Sequence, residues 1–82
     1  MRITLMSRAG CHTCEVALAD ITPIAAEFGV ALEVIDVDRA LDPEIKVEYG
    51  DLVPVVLLDG EQHSCWGVDP DELRADLAAA LR

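Results

Sequence analysis

The first 37 residues alternate between short apolar runs and one long amphipathic stretch, and this order limits the folds open to the chain. Ile3 to Met6 is an apolar run that ends at the turn-like segment Ser7 to Gly10, which predicts a short buried strand. Apolar residues then recur at helical spacing and form one stripe, at Ala17, Ile21, Ile24 and Phe28. A strand, a helix and a second strand predict a parallel pair joined by a crossover helix.

Two residues shape the predicted first helix, and a strand follows it. Gly29 stands where a C-terminal cap belongs. Pro23 lies inside the helix and removes a backbone donor, and we expect a bend without a break because the apolar stripe keeps its phase. Val30 to Val37 is a second apolar segment, predicted to be a strand at or near the centre of the sheet.

Two further helices carry start signals of the same kind. Asp42-Pro43 and Asp69-Pro70 each pair a capping carboxylate with a proline at the first helical position. The first signal predicts a short helix over Glu44 to Tyr49 that ends at Gly50. The second predicts a final helix whose buried face is made of Leu73, Leu77 and Leu81.

A hairpin completes the order of elements. Val55 to Leu58 is the strongest strand signal in the chain, and the turn pair Asp59-Gly60 follows it. Glu61 to Cys65 should therefore return antiparallel as an edge strand. The resulting β-α-β-α-β-β-α order predicts one α/β domain over residues 1–82, with a four-stranded mixed sheet flanked by three helices.

The chain is strongly acidic, with sixteen acidic and six basic residues and a net charge of −10. Nucleic acids and anionic membrane surfaces are recognised through clustered Lys and Arg, so neither is an expected partner. No apolar run approaches the roughly 20 residues of a membrane span, and the N-terminal run is too short for a signal peptide. We therefore expect a cytoplasmic protein, whose thiols stay reduced.

Two of the three cysteines, Cys11 and Cys14, stand just after the first strand, at the first turn of the first helix. This spacing puts both on one helix face, close enough for a disulfide. A helix N-terminus favours thiolate over thiol, most strongly at Cys11, and Arg8 and protonated His12 can add positive charge. The pattern predicts thiol–disulfide exchange, in which Cys11 attacks a substrate disulfide and Cys14 resolves the mixed disulfide.

The third cysteine, Cys65, leaves alternatives open. It can be a small buried apolar residue, or a second resolving or regulatory thiol near the pair. A further alternative is a metal or iron–sulfur module, with sulfur and nitrogen donors suited to zinc drawn from Cys11, Cys14, Cys65 and either His63 or His12. For the whole protein, a third hypothesis besides the oxidoreductase and the metal module is a non-catalytic adaptor. Outside a metal site, His63 is expected at the surface, because it alternates on an edge strand.

Three segments resemble the glutaredoxins, a family within the thioredoxin fold: Cys11-His12-Thr13-Cys14, Val53-Pro54 and Gly67-Val68-Asp69. Their order and approximate spacing match, and the resemblance extends over essentially all 82 residues. Within this family the chain resembles the small bacterial glutaredoxin-like proteins, in which Ser-Arg-x-Gly-Cys-His-x-Cys opens the chain and Val-Pro-Val-Val follows the second helix. The resemblance implies a thioredoxin-like, glutaredoxin-type fold and thiol–disulfide oxidoreductase activity with no bound cofactor.

The resemblance also implies roles for residues outside the cysteine pair. Pro54 resembles the cis-proline that faces the CxxC loop, and it would turn the backbone of Val53 toward an extended substrate. Arg8 matches the basic position before the nucleophile. Gly67 and Asp69 match the segment that holds the γ-glutamyl end of glutathione through helix amides and the capping side chain.

Two positions depart from the glutaredoxin pattern. His12 replaces the proline that typically lies between the cysteines, and Trp66-Gly67 replaces a pair of glycines before the last helix. The indole of Trp66 would wall the substrate groove where a bare backbone would admit glutathione, and a net charge of −10 disfavours an anionic tripeptide. The expected partners are a disulfide-containing protein or small-thiol substrate, with a reductase or a low-molecular-weight thiol as electron donor.

Overall fold

The computed structural model describes residues 1–82, and its seven elements follow the predicted order. The strands are β1 (Arg2–Ser7), β2 (Ala31–Asp36), β3 (Val55–Leu58) and β4 (Glu61–Cys65). The helices are α1 (His12–Phe28), α2 (Pro43–Tyr49) and α3 (Pro70–Ala80). None of these helices is both long enough and apolar enough to cross a membrane.

The four strands form one sheet in the order β2-β1-β3-β4. β2 runs parallel to β1, while the β1–β3 and β3–β4 pairs are antiparallel, so the predicted mixed sheet and edge hairpin are confirmed. The predicted central position of β2 is wrong, because β2 pairs only with β1 and is an outer strand. Its apolar residues have another cause: Leu32 packs against the core on one face of the sheet and Ile35 against the core on the other.

Two apolar clusters cover the two faces of the sheet. The larger cluster has nine buried residues and joins the sheet to α1 and α3. The smaller cluster consists of Met6, Val37, Val55 and Leu57, and Ile45 and Tyr49 of α2 pack against it. No residue of α2 is itself fully buried. The fold therefore has three layers, with the sheet in the middle and α2 as the thinner outer layer.

The helix ends follow the predicted caps, and one residue predicted to be buried at the end of α3 is exposed. Helix α1 continues through Pro23 and ends at Gly29, whose φ of 65° is the left-handed conformation of a C-terminal cap. Leu73 and Leu77 are fully buried, as predicted. Leu81 is 46% exposed, so its predicted burial is wrong. The helix ends one residue earlier, and helical spacing no longer positions this side chain.

The β3–β4 hairpin contains one irregularity. Val56 is paired with Ser64 and Leu57 with Gln62, so His63 is an extra residue with no partner opposite it. This arrangement is a β-bulge, which puts two consecutive side chains of one strand on the same face. Ser64 lies opposite Val56, on the face that α1 and α3 cover. His63 faces the same side, because its neighbour Gln62 lies opposite Leu57 of the other face.

Candidate active site

One end of the sheet gathers most of the residues singled out by the sequence. The register pairs Ser7 with Asp36, Met6 with Val55, and Val55 with Cys65. The segments that leave β1, β2 and β4 and the segment that enters β3 therefore meet at this end. They carry the cysteine pair, the Val53-Pro54 bond and Trp66. The opposite end of the sheet holds the Asp59-Gly60 turn and none of these residues.

Cys11 and Cys14 form a disulfide, with their Cα atoms 5.2 Å apart. Cys11 is the N-terminal cap of α1, and the backbone N–H of Cys14 donates to its Sγ at 3.2 Å. Cys14 is 2% exposed, whereas Cys11 is half-buried, so Cys11 is the more accessible sulfur, as predicted. The accessible sulfur thus lies at the positive end of the helix dipole.

The two residues between the cysteines differ in their relation to the sulfur. The hydroxyl oxygen of Thr13 lies 3.4 Å from the Sγ of Cys11, a contact that sequence reasoning missed. His12 points into solvent, with its side chain 86% exposed and its Nδ1 3.8 Å from a carboxylate oxygen of Glu15. Thr13 is therefore the intervening side chain that contacts the sulfur.

Arg8 is held by a carboxylate that the sequence analysis did not identify. Its guanidinium donates to both oxygens of Asp38, at 2.8 Å and 3.3 Å, and Lys46 lies 3.2 Å from the same carboxylate. The hydrogen bonds from Arg8 and then Lys46 hold the pKa of Asp38 below its usual value of 3.8. Arg8 also accepts a hydrogen bond from the N–H of Cys11 through its backbone carbonyl, at 3.2 Å. The side chain of Arg8 is thus anchored on Asp38 beside the loop that carries Cys11.

The Val53–Pro54 peptide bond is cis, as the family resemblance implied, and Pro54 is fully buried. Pro54 lies one residue before β3. Because Val55 pairs with Met6, Pro54 lies next to the end of β1. The backbone N–H and C=O of Val53 make no hydrogen bond within the chain. Unpaired backbone groups at a partly exposed residue are free to pair with an extended peptide.

Trp66 ties the loop after β4 to the loop before Pro54. Its backbone N–H donates to the carbonyl of Leu52 at 2.9 Å, and its indole Nε1 donates to the carbonyl of Asp51 at 3.0 Å. Its φ of 61° is a left-handed conformation that favours glycine. Trp66 is nevertheless 68% exposed, so its indole is held by a hydrogen bond and still accessible to solvent.

Gly67 and Asp69 connect this end of the sheet to α3. Gly67 has a φ of 148°, within the range that side-chain-bearing residues rarely adopt. Asp69 caps α3, and its Oδ1 accepts hydrogen bonds from the N–H groups of Asp71 at 3.0 Å and Glu72 at 3.4 Å. The carboxylate of Asp69 is therefore already engaged by the helix that it caps.

The remaining cysteine and histidine do not join the disulfide. Cys65 is a free, half-buried thiol that packs against the smaller core cluster. The expected surface position of His63 is wrong: its side chain is 8% exposed, and its Nε2 lies 2.6 Å from Oδ2 of Asp76 in α3. His63 is buried because α3, whose Asp76 follows 13 residues later, covers the face of β4 on which it lies. Potential metal ligands converge in one group of three, His63, Glu72 and Asp76, which contains no cysteine.

Comparisons with known proteins agree with this geometry. The model of the family described as "Glutaredoxin-like domain (DUF836)" matches residues 2–78. An uncharacterised protein of Mycobacterium tuberculosis is 42% identical over 80 residues, which cover 94% of this chain and 82% of that protein.

Solved structures give the fold. A protein of X. campestris matches with a TM-score of 0.70 and 29% identity, covering 94% of this chain and 96% of that one. Thioredoxin 1 from Thermosipho africanus matches with a TM-score of 0.66 and 22% identity over the full length of both chains. The three-layer α/β arrangement is therefore the thioredoxin fold, as the resemblance implied. With a family match over residues 2–78, the chain belongs to the glutaredoxin-like domain family.

Proposed function

We propose that this protein is a dithiol–disulfide oxidoreductase that reduces disulfides of proteins or small molecules. The observation that carries the proposal is the cysteine pair itself. An accessible sulfur caps a helix N-terminus, and its buried partner is one turn further on, within bonding distance. A nucleophile needs access and a stabilised thiolate, while a resolving thiol needs proximity and protection from other reagents.

The proposed reaction conserves atoms and electrons at each step. The Cys11 thiolate attacks one sulfur of the substrate disulfide, forming a mixed disulfide and releasing the other sulfur, which takes up a proton as a thiol. Cys14, deprotonated, then attacks the Sγ of Cys11, forming the Cys11–Cys14 disulfide and releasing the second substrate thiol. Two electrons and two protons pass from the cysteine pair to the substrate. A reductase or a low-molecular-weight thiol returns the pair to the dithiol form.

Residues around the pair support binding of an extended substrate. Val53 offers an unpaired N–H and C=O beside the buried cis-Pro54, so a substrate strand can add hydrogen bonds there. The exposed indole of Trp66, fixed by two hydrogen bonds, would form a wall of the same groove. Gly67 and Asp69 follow directly and would complete it, and His12 projects on the solvent side of the pair.

The electron donor is proposed on charge and shape. A net charge of −10 would attract a reductase with a basic face and repel an anionic tripeptide. The indole of Trp66 adds bulk in the place where glutaredoxins have glycine. We therefore place a protein reductase, or a low-molecular-weight thiol other than glutathione, ahead of glutathione as the donor.

A coupled assay with two donor systems tests the activity. Reduction of insulin or hydroxyethyl disulfide is followed with glutathione and its reductase, and in parallel with thioredoxin reductase. We expect turnover with at least one system, loss of turnover in Cys11→Ser, and retention of most of it in Cys65→Ser, the matched control at the free thiol.

The same variants distinguish the rival function. A metal or iron–sulfur module built on Cys11, Cys14 and Cys65 predicts stoichiometric metal in gently purified protein, lost equally in Cys11→Ser and Cys65→Ser. No turnover with any donor, together with such metal, would overturn the proposed oxidoreductase activity. An adaptor would instead bind its partner equally well after both Cys11 and Cys14 are replaced.

A further inference from the structure

A second group of reactive side chains lies on the face of the sheet that α1 and α3 cover. His63 of β4 faces Glu72 and Asp76, which are one helical turn apart on α3. One donor atom from each of the three side chains lies within 4.8 Å of the other two. The cluster contains no cysteine, and the proposed disulfide chemistry uses none of its members.

The histidine of this cluster is held in the way that metal-binding histidines are held. Its side chain is 8% exposed, and it lies on the face of β4 that α3 covers. Nε2 faces the carboxylate of Asp76, while Nδ1 lies 3.3 Å from the hydroxyl of Ser64. A hydroxyl both donates and accepts, so the Oγ of Ser64 can accept a hydrogen bond from Nδ1–H, in the tautomer whose Nε2 lone pair is available to a metal ion.

The charges around the cluster favour a cation. Glu72 and Asp76 carry two negative charges and are exposed, so an ion can reach them. The nearest arginine along α3, Arg74, lies 3.1 Å from Glu27 and 3.8 Å from Asp71, and pairs with neither carboxylate of the cluster. A divalent ion would balance these charges, in a chain whose net charge is already −10.

We propose that His63, Glu72 and Asp76 form a site for a divalent transition-metal ion such as Zn²⁺. One imidazole nitrogen and two carboxylate oxygens are donors that Zn²⁺ accepts, and water would complete a four-coordinate shell. Ligand atoms of a tetrahedral zinc site are roughly 3.3 Å apart. Small side-chain rotations would bring the observed donor atoms to this spacing, with the ion replacing the proton between Nε2 and Asp76. The ion would then link β4 to α3.

Calorimetric titration of the oxidised chain with Zn²⁺ tests the site. Oxidation keeps Cys11 and Cys14 in their disulfide, so these sulfurs do not compete for the ion. We expect one ion per chain, and at least tenfold weaker binding in Glu72→Gln. This variant is diagnostic, because the side chain of Glu72 takes no part in the His63–Asp76 hydrogen bond. The matched control is Asp71→Asn, one residue earlier on α3 and outside the cluster, which should bind within about twofold of the unmodified chain.

Other outcomes would overturn the site. Equal weakening by Glu72→Gln and Asp71→Asn would show nonspecific attraction to an acidic surface. Loss of binding in Cys65→Ser would assign the ion to the free thiol. Absence of saturable binding up to millimolar Zn²⁺, in a chain shown by circular dichroism to be folded, would leave the cluster as a structural link between β4 and α3 only. None of these outcomes bears on the disulfide chemistry, which is measured separately.

Discussion

The N-termini of α1 and α3 have nearly the same geometry but different chemistry. The cap residue of α1, Cys11, has φ −90° and ψ 106°, and the cap of α3, Asp69, has φ −91° and ψ 111°. In each helix the cap side chain accepts a hydrogen bond from the amide three residues on, Cys14 in one and Glu72 in the other. The difference lies in the acceptor, which is a sulfur in α1 and a carboxylate in α3.

This difference shows how one local structure can serve both stability and reactivity. A carboxylate is charged at neutral pH, so the cap of α3 is permanent. The sulfur of Cys11 is uncharged in the disulfide and becomes a good acceptor only as a thiolate. The helix amides that stabilise this anion are thus the same groups that the cap satisfies. In α1 the capping position therefore keeps its usual backbone geometry but holds a sulfur whose charge changes with oxidation state.

The largest expected effect comes from replacing the sulfur while keeping the cap. Cys11→Ser should lower disulfide reductase turnover by at least about 10³-fold, equivalent to about 4 kcal/mol of activation free energy. Serine is a good N-cap, so the free energy of unfolding should stay within about 0.5 kcal/mol of the reduced unmodified chain. Steady-state assays and urea titration under reducing conditions measure the two quantities. If turnover survived the substitution, the sulfur at the cap of α1 would not be the nucleophile.

The corresponding change at α3 should act on stability. Asp69→Ala removes the acceptor for the amides of Asp71 and Glu72 and should cost about 1 kcal/mol of unfolding free energy. Asp69→Asn, which keeps an oxygen acceptor, should cost much less. Urea titration at neutral pH measures both. If the two variants were equally destabilised, the hydrogen-bonded cap would not be what stabilises this helix.

A smaller effect is expected from the hydroxyl that contacts the sulfur. Thr13→Val removes the oxygen that lies 3.4 Å from the Sγ of Cys11 and keeps the shape of the side chain. We expect the rate of attack by Cys11 to fall by about twofold to tenfold, because one hydrogen bond to the anion is lost. Thr13→Ser keeps the hydroxyl and should react at close to the original rate. Single-turnover reduction of a model disulfide measures the rate of attack. Equal rates for the unmodified chain, Thr13→Val and Thr13→Ser would show that the hydroxyl of Thr13 does not assist Cys11.

The smallest expected effect concerns the anchor of Arg8. The pKa of Asp38 is lowered by Arg8 and Lys46, so the folded chain gains stability above the unfolded pKa of Asp38 and loses it as pH falls through the folded value. The difference in urea midpoint between the unmodified chain and Asp38→Asn should be constant from about pH 7 to about pH 5. It should shrink toward zero below about pH 4. It should be small throughout, since the pair is partly exposed. A difference that persists at low pH would show that the carboxylate charge is not its source.

Local signals in the sequence were enough to predict the helices and strands. Features that depend on pairing between distant residues could not be predicted in this way. The caps at Asp42 and Asp69 and the terminator Gly29 act within one helical turn, so their sequence signature is sufficient. The position of β2 was mistaken because strand order depends on partners distant in sequence. The apolar residues of β2 made it resemble a central strand, although none of them is fully buried and Val34 is 48% exposed.

In the candidate active site, too, local features were predicted and long-range contacts were not. The cysteine pair and its exposure follow from spacing at a helix start, and the cis bond at Pro54 came through the family resemblance. Asp38 as the partner of Arg8 and Asp76 as the partner of His63 were missed, since these pairs span 30 and 13 residues. The second pair also depends on which face of the hairpin α3 covers, and local sequence does not specify this.

Site-resolved alkylation of the reduced chain tests most directly whether Cys11 is the activated nucleophile. Iodoacetamide is added at pH 7, the reaction is stopped at intervals, and peptide mapping gives a rate for each cysteine. We predict that Cys11 is alkylated about tenfold faster than Cys65 and keeps much of its rate at pH 6, because its thiolate faces the amides of α1. Equal rates at Cys11 and Cys65, both falling in parallel with pH, would contradict the central claim that the helix cap activates this sulfur.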